Sequence, residues 1–251
     1  MRRRNRSVDG NHWNNGIDGC DPTDKKETSP AIDKEGVLLQ VFHCFAFAIH
    51  VYVFLWHFGD EAAKLPGAKG FGFFFRYLTF VSFTFQLLQL TVVVLWSVRG
   101  MKAGRLRRLS DDLSCASFPL ACTVTIMFQI VKKTTKEAVE GGHIVRPFWL
   151  DFTVHYWNSL IALADLLVSR NRTFSRRAQN IALSIAFFYI VWIHVVKVFN
   201  KIYPYPFLNK LPQPYGIIIT SASGSLICFL LFKFGELLRF RKGRIGLRAK
   251  G

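Results

Sequence analysis

A threonine and a histidine in two separate apolar runs could act together as a nucleophile and its base. Thr79 lies in a run over residues 73–98, and His155 lies in a run over residues 148–168. A threonine hydroxyl is a weak nucleophile, and an imidazole within hydrogen-bond reach can take its proton as it attacks a carbonyl carbon. The two residue types therefore suggest covalent acyl transfer, provided that the fold brings them together.

Polar residues at helical spacing accompany both candidates. In the first run they are Thr79, Ser82, Gln86 and Gln89. In the second run they are Asp151, His155, Asn158 and Asp165. Hydroxyl, amide and carboxylate groups facing hydrocarbon would lack partners, so each stripe is predicted to face the protein interior. A threonine in such a helix commonly bonds its own preceding turn, and that alternative stays open for Thr79.

The apolar runs predict an all-α, polytopic membrane protein. About 20 apolar residues rising 1.5 Å each cross the ~30 Å hydrocarbon layer. The 251-residue chain, which is 51% hydrophobic, has six candidate spans. They cover residues 37–58, 73–98, 113–131, 148–168, 181–199 and 217–240. We expect a disordered polar tail over residues 1–36, a six-helix transmembrane domain over residues 37–240 and a basic tail over residues 241–251.

The net charge of +17 is distributed between the apolar runs. Basic residues beside membrane spans indicate contact with anionic lipid headgroups and control of topology, rather than nucleic-acid binding. Of the 33 Lys and Arg residues, 22 lie on one side of the predicted topology, which places both termini in the cytosol. The second and fourth spans then enter from the same face, and Thr79 and His155 lie at a similar depth, about 9 Å along each helix.

Three histidines in the first span form a further stripe. His43, His50 and His57 are seven residues apart. Neighbours are separated by about 10 Å along the helix, which is too far for two of them to share a metal ion. We expect these side chains to face inward and bond neighbouring helices; a proton relay or a cavity lining is the alternative.

Five segments, in order, resemble the androgen-induced, ADTRP-like family of multi-pass membrane proteins. They are RYLTFVSFTFQ (76–86), WLDFTVH (149–155), YIVW (189–192), YPFL (205–208) and FGELL (234–238). The likeness extends from about residue 37 to residue 240 and excludes both tails. It implies an integral membrane threonine hydrolase that cleaves fatty acid esters of hydroxy fatty acids without a metal or organic cofactor. The sequence does not fix the organelle, and an endomembrane such as the endoplasmic reticulum and the plasma membrane are both open.

The resemblance also implies roles for individual residues. Thr79, within Leu78-Thr79-Phe80, matches the family nucleophile, and His155 matches its partner histidine. This chain has Asp151-Phe152 where the family pattern has Asn-His. Asp151 lies one turn before His155 and could orient its imidazole, or could contact water at the membrane interface.

The sequence does not single out the hydrogen-bond donors that would stabilise an oxyanion. Asn158 and Gln86 are the candidate donors. The phenylalanines around Thr79 suit an acyl-chain groove or ordinary helix packing.

Two non-enzymatic functions compete with hydrolysis. In a transporter the polar stripes would line a permeation path, although the sequence shows no internal repeat and no paired Gly/Pro-broken spans. In a signalling scaffold the cytosolic tails would carry the function, and Thr79 and His155 could be replaced freely. Loss of ester cleavage in a Thr79→Ala variant distinguishes the hydrolase from both.

Overall fold

The computed structural model describes residues 34–98, 104–134, 147–169 and 172–248. The predicted N-terminal tail lies almost entirely outside the described residues, as do the loops over residues 99–103 and 135–146. Within the described part of the chain all regular structure is helical. The long helices are α1 (Lys34–Trp56), α3 (Leu78–Val98), α4 (Arg105–Thr134), α7 (Arg176–Asn200) and α9 (Tyr215–Arg248).

Shorter elements connect these helices. α2 (Asp60–Ala63) and two 3-10 turns (Pro66–Ala68 and Phe73–Arg76) join α1 to α3, and α8 (Pro206–Lys210) lies between α7 and α9. The fourth predicted span consists of α5 (Phe148–Phe152), a π-helical turn (Thr153–Trp157) and α6 (Asn158–Val168). We call this continuous segment, residues 148–168, the composite helix.

The helices confirm a polytopic all-α membrane protein. Among the described residues, five helices are long and apolar enough to cross a membrane: α1, α3, α4, α7 and α9. The composite helix corresponds to the remaining predicted span. Large apolar side chains such as Leu38 on α1, Phe187 on α7 and Ile219 on α9 are more than 60% exposed, as expected for faces that contact lipid.

The second span begins later than predicted. The sequence suggested a helix from residue 73, but α3 begins at Leu78. Gly70 and Gly72 adopt positive φ angles of 89° and 87°, and Tyr77 is extended. These conformations end the loop in a 3-10 turn, so Thr79 is the second residue of a helix instead of lying inside one.

α4 forms the centre of the bundle. It packs against α3, the composite helix, α7 and α9. Its middle is rich in small buried side chains, including Cys115, Ala116 and Ala121, which allow neighbouring helices to approach closely. The helix includes Pro119 in its interior.

Candidate active site

α3 and the composite helix pack side by side and run in the same direction. Near their N-terminal ends, Phe80 and Leu150 belong to one buried apolar cluster. Further along both helices, Leu90 and Ile161 share a second cluster. Residue numbers therefore increase together along the interface, which confirms that the two polar stripes lie on adjacent parallel helices.

A side-chain contact fixes the relative level of the two helices. Asn158 Nδ2 donates to Ser82 Oγ at 3.4 Å, and both residues are buried. Thr79 and His155 each lie three residues before this contact, so they occupy the same level on their helices. The predicted depths were counted from span starts, and the count for Thr79 was wrong because α3 begins at Leu78. The contact between the helices nonetheless lies three residues beyond both Thr79 and His155.

Thr79 lies half-buried in the first turn of α3. Its hydroxyl donates to no described residue. Three of the first four backbone amides of α3 have partners. The Leu78 N–H donates to the Tyr205 hydroxyl at 3.0 Å. The Phe80 and Val81 N–H groups donate to the Tyr77 carbonyl at 3.1 and 3.2 Å. The Thr79 N–H has no partner among the described residues. A backbone donor and a hydroxyl of the same residue are thus both available.

His155 lies within the π-helical turn and is 4% exposed. Its ring stacks on Phe128 of α4, with centroids 3.7 Å apart and planes 9° from parallel. Its backbone carbonyl accepts a hydrogen bond from the Thr125 hydroxyl. π-helical turns interrupt the regular bonding of a helix and are frequent at functional sites. Here α4 holds both the ring and the carbonyl of His155.

Asp151 approaches His155 as the sequence suggested. Asp151 Oδ1 lies 3.5 Å from His155 Nε2, and the carboxylate side chain is 31% exposed. This separation suits an ion pair more than a short hydrogen bond. A carboxylate on the Nε2 side of the ring favours a proton on Nε2, which leaves Nδ1 as the basic nitrogen.

Gln86 and Asn158 belong to a polar cluster one to two turns beyond Thr79. Gln86 Oε1 lies 3.2 Å from His50 Nε2, and Asn158 donates to Ser82. Gln86 lies seven residues, or about 10 Å, from Thr79 along α3. The structure therefore places the Gln86 amide with His50 instead of beside Thr79.

The three histidines of the first predicted span all face the interior, which confirms the predicted stripe; His43 and His50 lie in α1 and His57 directly follows it. They are 3%, 0% and 5% exposed. His43 Nε2 bonds Asp165 Oδ1 at 2.7 Å, while His50 contacts Gln86. His57 Nδ1 donates to the Val53 carbonyl at 2.7 Å, within its own helix.

Phe80, which follows Thr79, lies in an aromatic cluster. Its ring centroid is 4.6 Å from that of His57, 4.8 Å from that of Phe75 and 5.7 Å from that of Phe54. Phe80 is 3% exposed and packs in the core. Phe75 is only partly buried and borders the same cluster.

Asp165, the last member of the second stripe, lies in an ion network at the far end of the composite helix. Its Oδ1 accepts from His43, from Ser169 Oγ at 2.8 Å and from Arg172 at 3.0 Å. Arg172 also donates to Asp111 at 2.9 Å. Asp165 is ten residues beyond His155, so this network stabilises the bundle away from the candidate site.

Several residues at the site were not identified from sequence. Phe128 and Thr125 on α4 contact His155 but lie in a run with no distinguishing motif. Tyr189, Trp192 and Tyr205 bond the backbone just before Thr79. These three belong to the YIVW and YPFL segments, so the resemblance contained a signal for them without indicating their role.

Comparison with known proteins gives the chain a family context. The FAR-17a/AIG1-like protein family matches residues 39–239. A UPF0641 membrane protein of Schizosaccharomyces pombe is 27% identical over 214 residues, which are 82% of this chain and 93% of that protein. No solved structure matches the chain.

Proposed function

We propose that this chain, which belongs to the FAR-17a/AIG1-like family, is a membrane-embedded carboxylic ester hydrolase. The proposed substrates are fatty acid esters of hydroxy fatty acids, the class implied by the five family-like segments. Thr79 is the proposed nucleophile and His155 the proposed general base. The observation that carries the proposal is the Asn158–Ser82 contact between the two adjacent parallel helices, which supports the pairing because it lies three residues beyond Thr79 on one helix and three beyond His155 on the other.

In the proposed acylation step, the Thr79 hydroxyl oxygen attacks the ester carbonyl carbon while His155 takes its proton. The tetrahedral intermediate collapses, the bond to the alcohol oxygen breaks, and His155 returns the proton to that oxygen. The hydroxy fatty acid leaves, and the other fatty acid remains as an ester of Thr79. Attack by water, with His155 again as the base, releases the second acid and restores the hydroxyl.

The Thr79 N–H is a better candidate than Gln86 for stabilising the oxyanion. It is the first-turn amide of α3 without a partner among the described residues, and the N-terminus of a helix favours negative charge. A donor on the nucleophile's own backbone lies close to the carbonyl oxygen under attack. Asn158, one turn beyond His155, lies closer to the pair than Gln86 does and is mainly engaged with Ser82.

Water for deacylation can come from the polar cluster. Gln86 Nε2 and Asn158 Oδ1 are buried and have no hydrogen-bond partner within the described residues. A donor and an acceptor buried in this way favour a bound water molecule. The mechanism requires no metal ion or organic cofactor.

Two assays on the same membrane preparations test this proposal: labelling by a fluorophosphonate and hydrolysis of a hydroxy-fatty-acid ester. We expect the wild type to be labelled and active, and Thr79→Ala and His155→Ala each to lower turnover by about 10³-fold or more. Labelling should be lost in Thr79→Ala. Labelled, fully active Thr79→Ala protein would refute the nucleophile assignment.

Matched variants control for general effects on the helices. Thr91→Ala removes another threonine hydroxyl from α3, one that donates to the Leu87 carbonyl at 2.8 Å. His194→Ala removes an exposed histidine that bonds only its own helix in the described structure, through the Ile190 carbonyl. Both variants should keep labelling and turnover near the wild-type level. An inert wild type would favour the transporter or scaffold function.

A further inference from the structure

Three aromatic side chains, which we call the aromatic clamp, hold the turn that precedes Thr79. They are Tyr189, Trp192 and Tyr205. Trp192 Nε1 donates to the Phe75 carbonyl oxygen at 3.0 Å, and the Tyr189 hydroxyl donates to the Arg76 carbonyl oxygen at 2.9 Å. The clamp thus brings α7 and the segment before α8 onto the backbone that leads into α3.

The two tyrosines form a directed chain of hydrogen bonds. Their hydroxyl oxygens are 3.2 Å apart, and each hydroxyl has a single proton. Because Tyr189 uses its proton on the Arg76 carbonyl, the proton of Tyr205 is directed to Tyr189. The Tyr205 oxygen meanwhile accepts the Leu78 N–H. The chain therefore runs from one backbone amide to a carbonyl two residues earlier, and each bond polarises the next.

The clamp also engages the carbonyls to which a helical threonine would normally bond. Threonine hydroxyls in helices commonly donate to the carbonyl three or four residues earlier. Five others in the described chain lie within hydrogen-bond distance of the carbonyl four residues earlier: Thr91, Thr123, Thr125, Thr153 and Thr220. The buried Thr84 hydroxyl, in the middle of α3, has no hydrogen-bond partner among the described residues. For Thr79 the corresponding carbonyls are those of Phe75 and Arg76. Trp192 and Tyr189 donate to them, which holds these residues in the 3-10 turn that precedes the extended Tyr77, and the Thr79 hydroxyl donates to no described residue.

We infer that Tyr189, Trp192 and Tyr205 are positioning residues for the nucleophile. They fix the 75–78 turn from which α3 starts, and so fix the position of Thr79 in the first turn of that helix. This inference rests on the proposed hydrolase function. It gives the YIVW and YPFL segments a structural role, since their side chains bind the backbone before Thr79 and take no part in the proposed reaction.

The test is a comparison of Trp192→Phe, Tyr205→Phe and the double variant Tyr189→Phe/Trp192→Phe with the wild type. Each change keeps an aromatic ring and removes the donor or hydroxyl. The second-order rate of fluorophosphonate labelling and the values of kcat and KM are measured per folded molecule, with monodisperse protein quantified by size exclusion. Tyr215→Phe is the matched control, because Tyr215 is 68% exposed and lies outside the clamp.

We expect kcat and the labelling rate of the double variant to fall together by about 10- to 100-fold, because small displacements of a nucleophile have effects of this size. KM should stay within about threefold, since the clamp binds protein backbone and not substrate. Hydrogen exchange at the amides of residues 76–80 should accelerate in Tyr205→Phe. Tyr215→Phe should match the wild type in every measurement.

Two results separate the failure of this inference from the failure of the proposed function. Wild-type kcat and labelling in the folded double variant and in Tyr205→Phe, with Thr79→Ala inactive, would overturn the clamp alone. A wild type without turnover or labelling would overturn the hydrolase and, with it, the role of the clamp. If the double variant does not fold, the same measurements on Tyr205→Phe decide the inference.

Discussion

Replacing Arg172 should destabilise the protein more than replacing any exposed arginine. Arg172 donates to Asp165 at 3.0 Å, to Asp111 at 2.9 Å and to Ser110 at 3.1 Å, and its side chain is 6% exposed. The Asp165 side chain is 5% exposed, so Arg172→Met leaves a buried carboxylate without its permanent positive partner. Removing one partner of a buried ion pair costs about 3–5 kcal/mol. This corresponds to a rise of about 10²- to 10³·⁵-fold in the unfolding equilibrium constant.

The remaining contacts of Asp165 reduce this cost without abolishing it. His43 Nε2 lies 2.7 Å and Ser169 Oγ 2.8 Å from the same carboxylate oxygen. A second replacement, Asp165→Asn, removes the uncompensated charge. The double variant Arg172→Met/Asp165→Asn should therefore be less destabilised than the sum of the single variants, with a coupling energy of about 1–3 kcal/mol.

The free energies can be measured by reversible unfolding in mixed micelles as the fraction of denaturing detergent increases. Arg177→Met is the matched control. Arg177 lies 3.5 Å from Asp112 with a side chain that is 66% exposed, so its loss should cost less than about 1 kcal/mol. Equal destabilisation by Arg172→Met and Arg177→Met, or strict additivity in the double variant, would refute the reasoning.

Two further substitutions test the packing of the bundle and of the candidate site. Gly235→Ala should destabilise the protein by about 1–3 kcal/mol, because the added methyl group would lie 2.5 Å from a ring carbon of Phe174. Gly224→Ala, on the same helix with no heavy atom within 4 Å, should be neutral or stabilising by up to about 1 kcal/mol; equal effects of the two changes in the same unfolding assay would contradict this. Phe128→Leu removes the ring stacked on His155 and should lower kcat by up to about tenfold with unchanged expression. An unaltered kcat would show that the stacking does not orient the imidazole.

The inward orientation of each polar stripe could be predicted, because it follows from helical periodicity and the low polarity of the membrane. Ser82, Gln86 and Gln89 are 1–2% exposed, and His155 and Asn158 are also buried. An unpaired amide in hydrocarbon is costly enough to fix the orientation of a helix before any neighbour is known.

Local irregularities were less predictable. The start of α3 at Leu78 depends on positive φ angles at Gly70 and Gly72 and on bonds from distant side chains. In the π-helical turn, the His155 carbonyl accepts a hydrogen bond from the Thr125 hydroxyl of α4. The residues around Thr125 form no motif that would predict this contact. Apolar composition continues through both places, so hydropathy gave no sign of either.

The sequence by itself determined a polytopic, all-α membrane protein, since uninterrupted apolar runs of membrane length have few other stable folds. It also determined that Thr79 and His155 were the residues to consider. Only the tertiary structure decided that the Asn158–Ser82 contact lies three residues beyond each of them, and that Trp192 and Tyr189 donate to the backbone carbonyls just before Thr79. These contacts join residues more than 75 positions apart, and side-chain bonds over such distances leave no periodic trace in a single sequence.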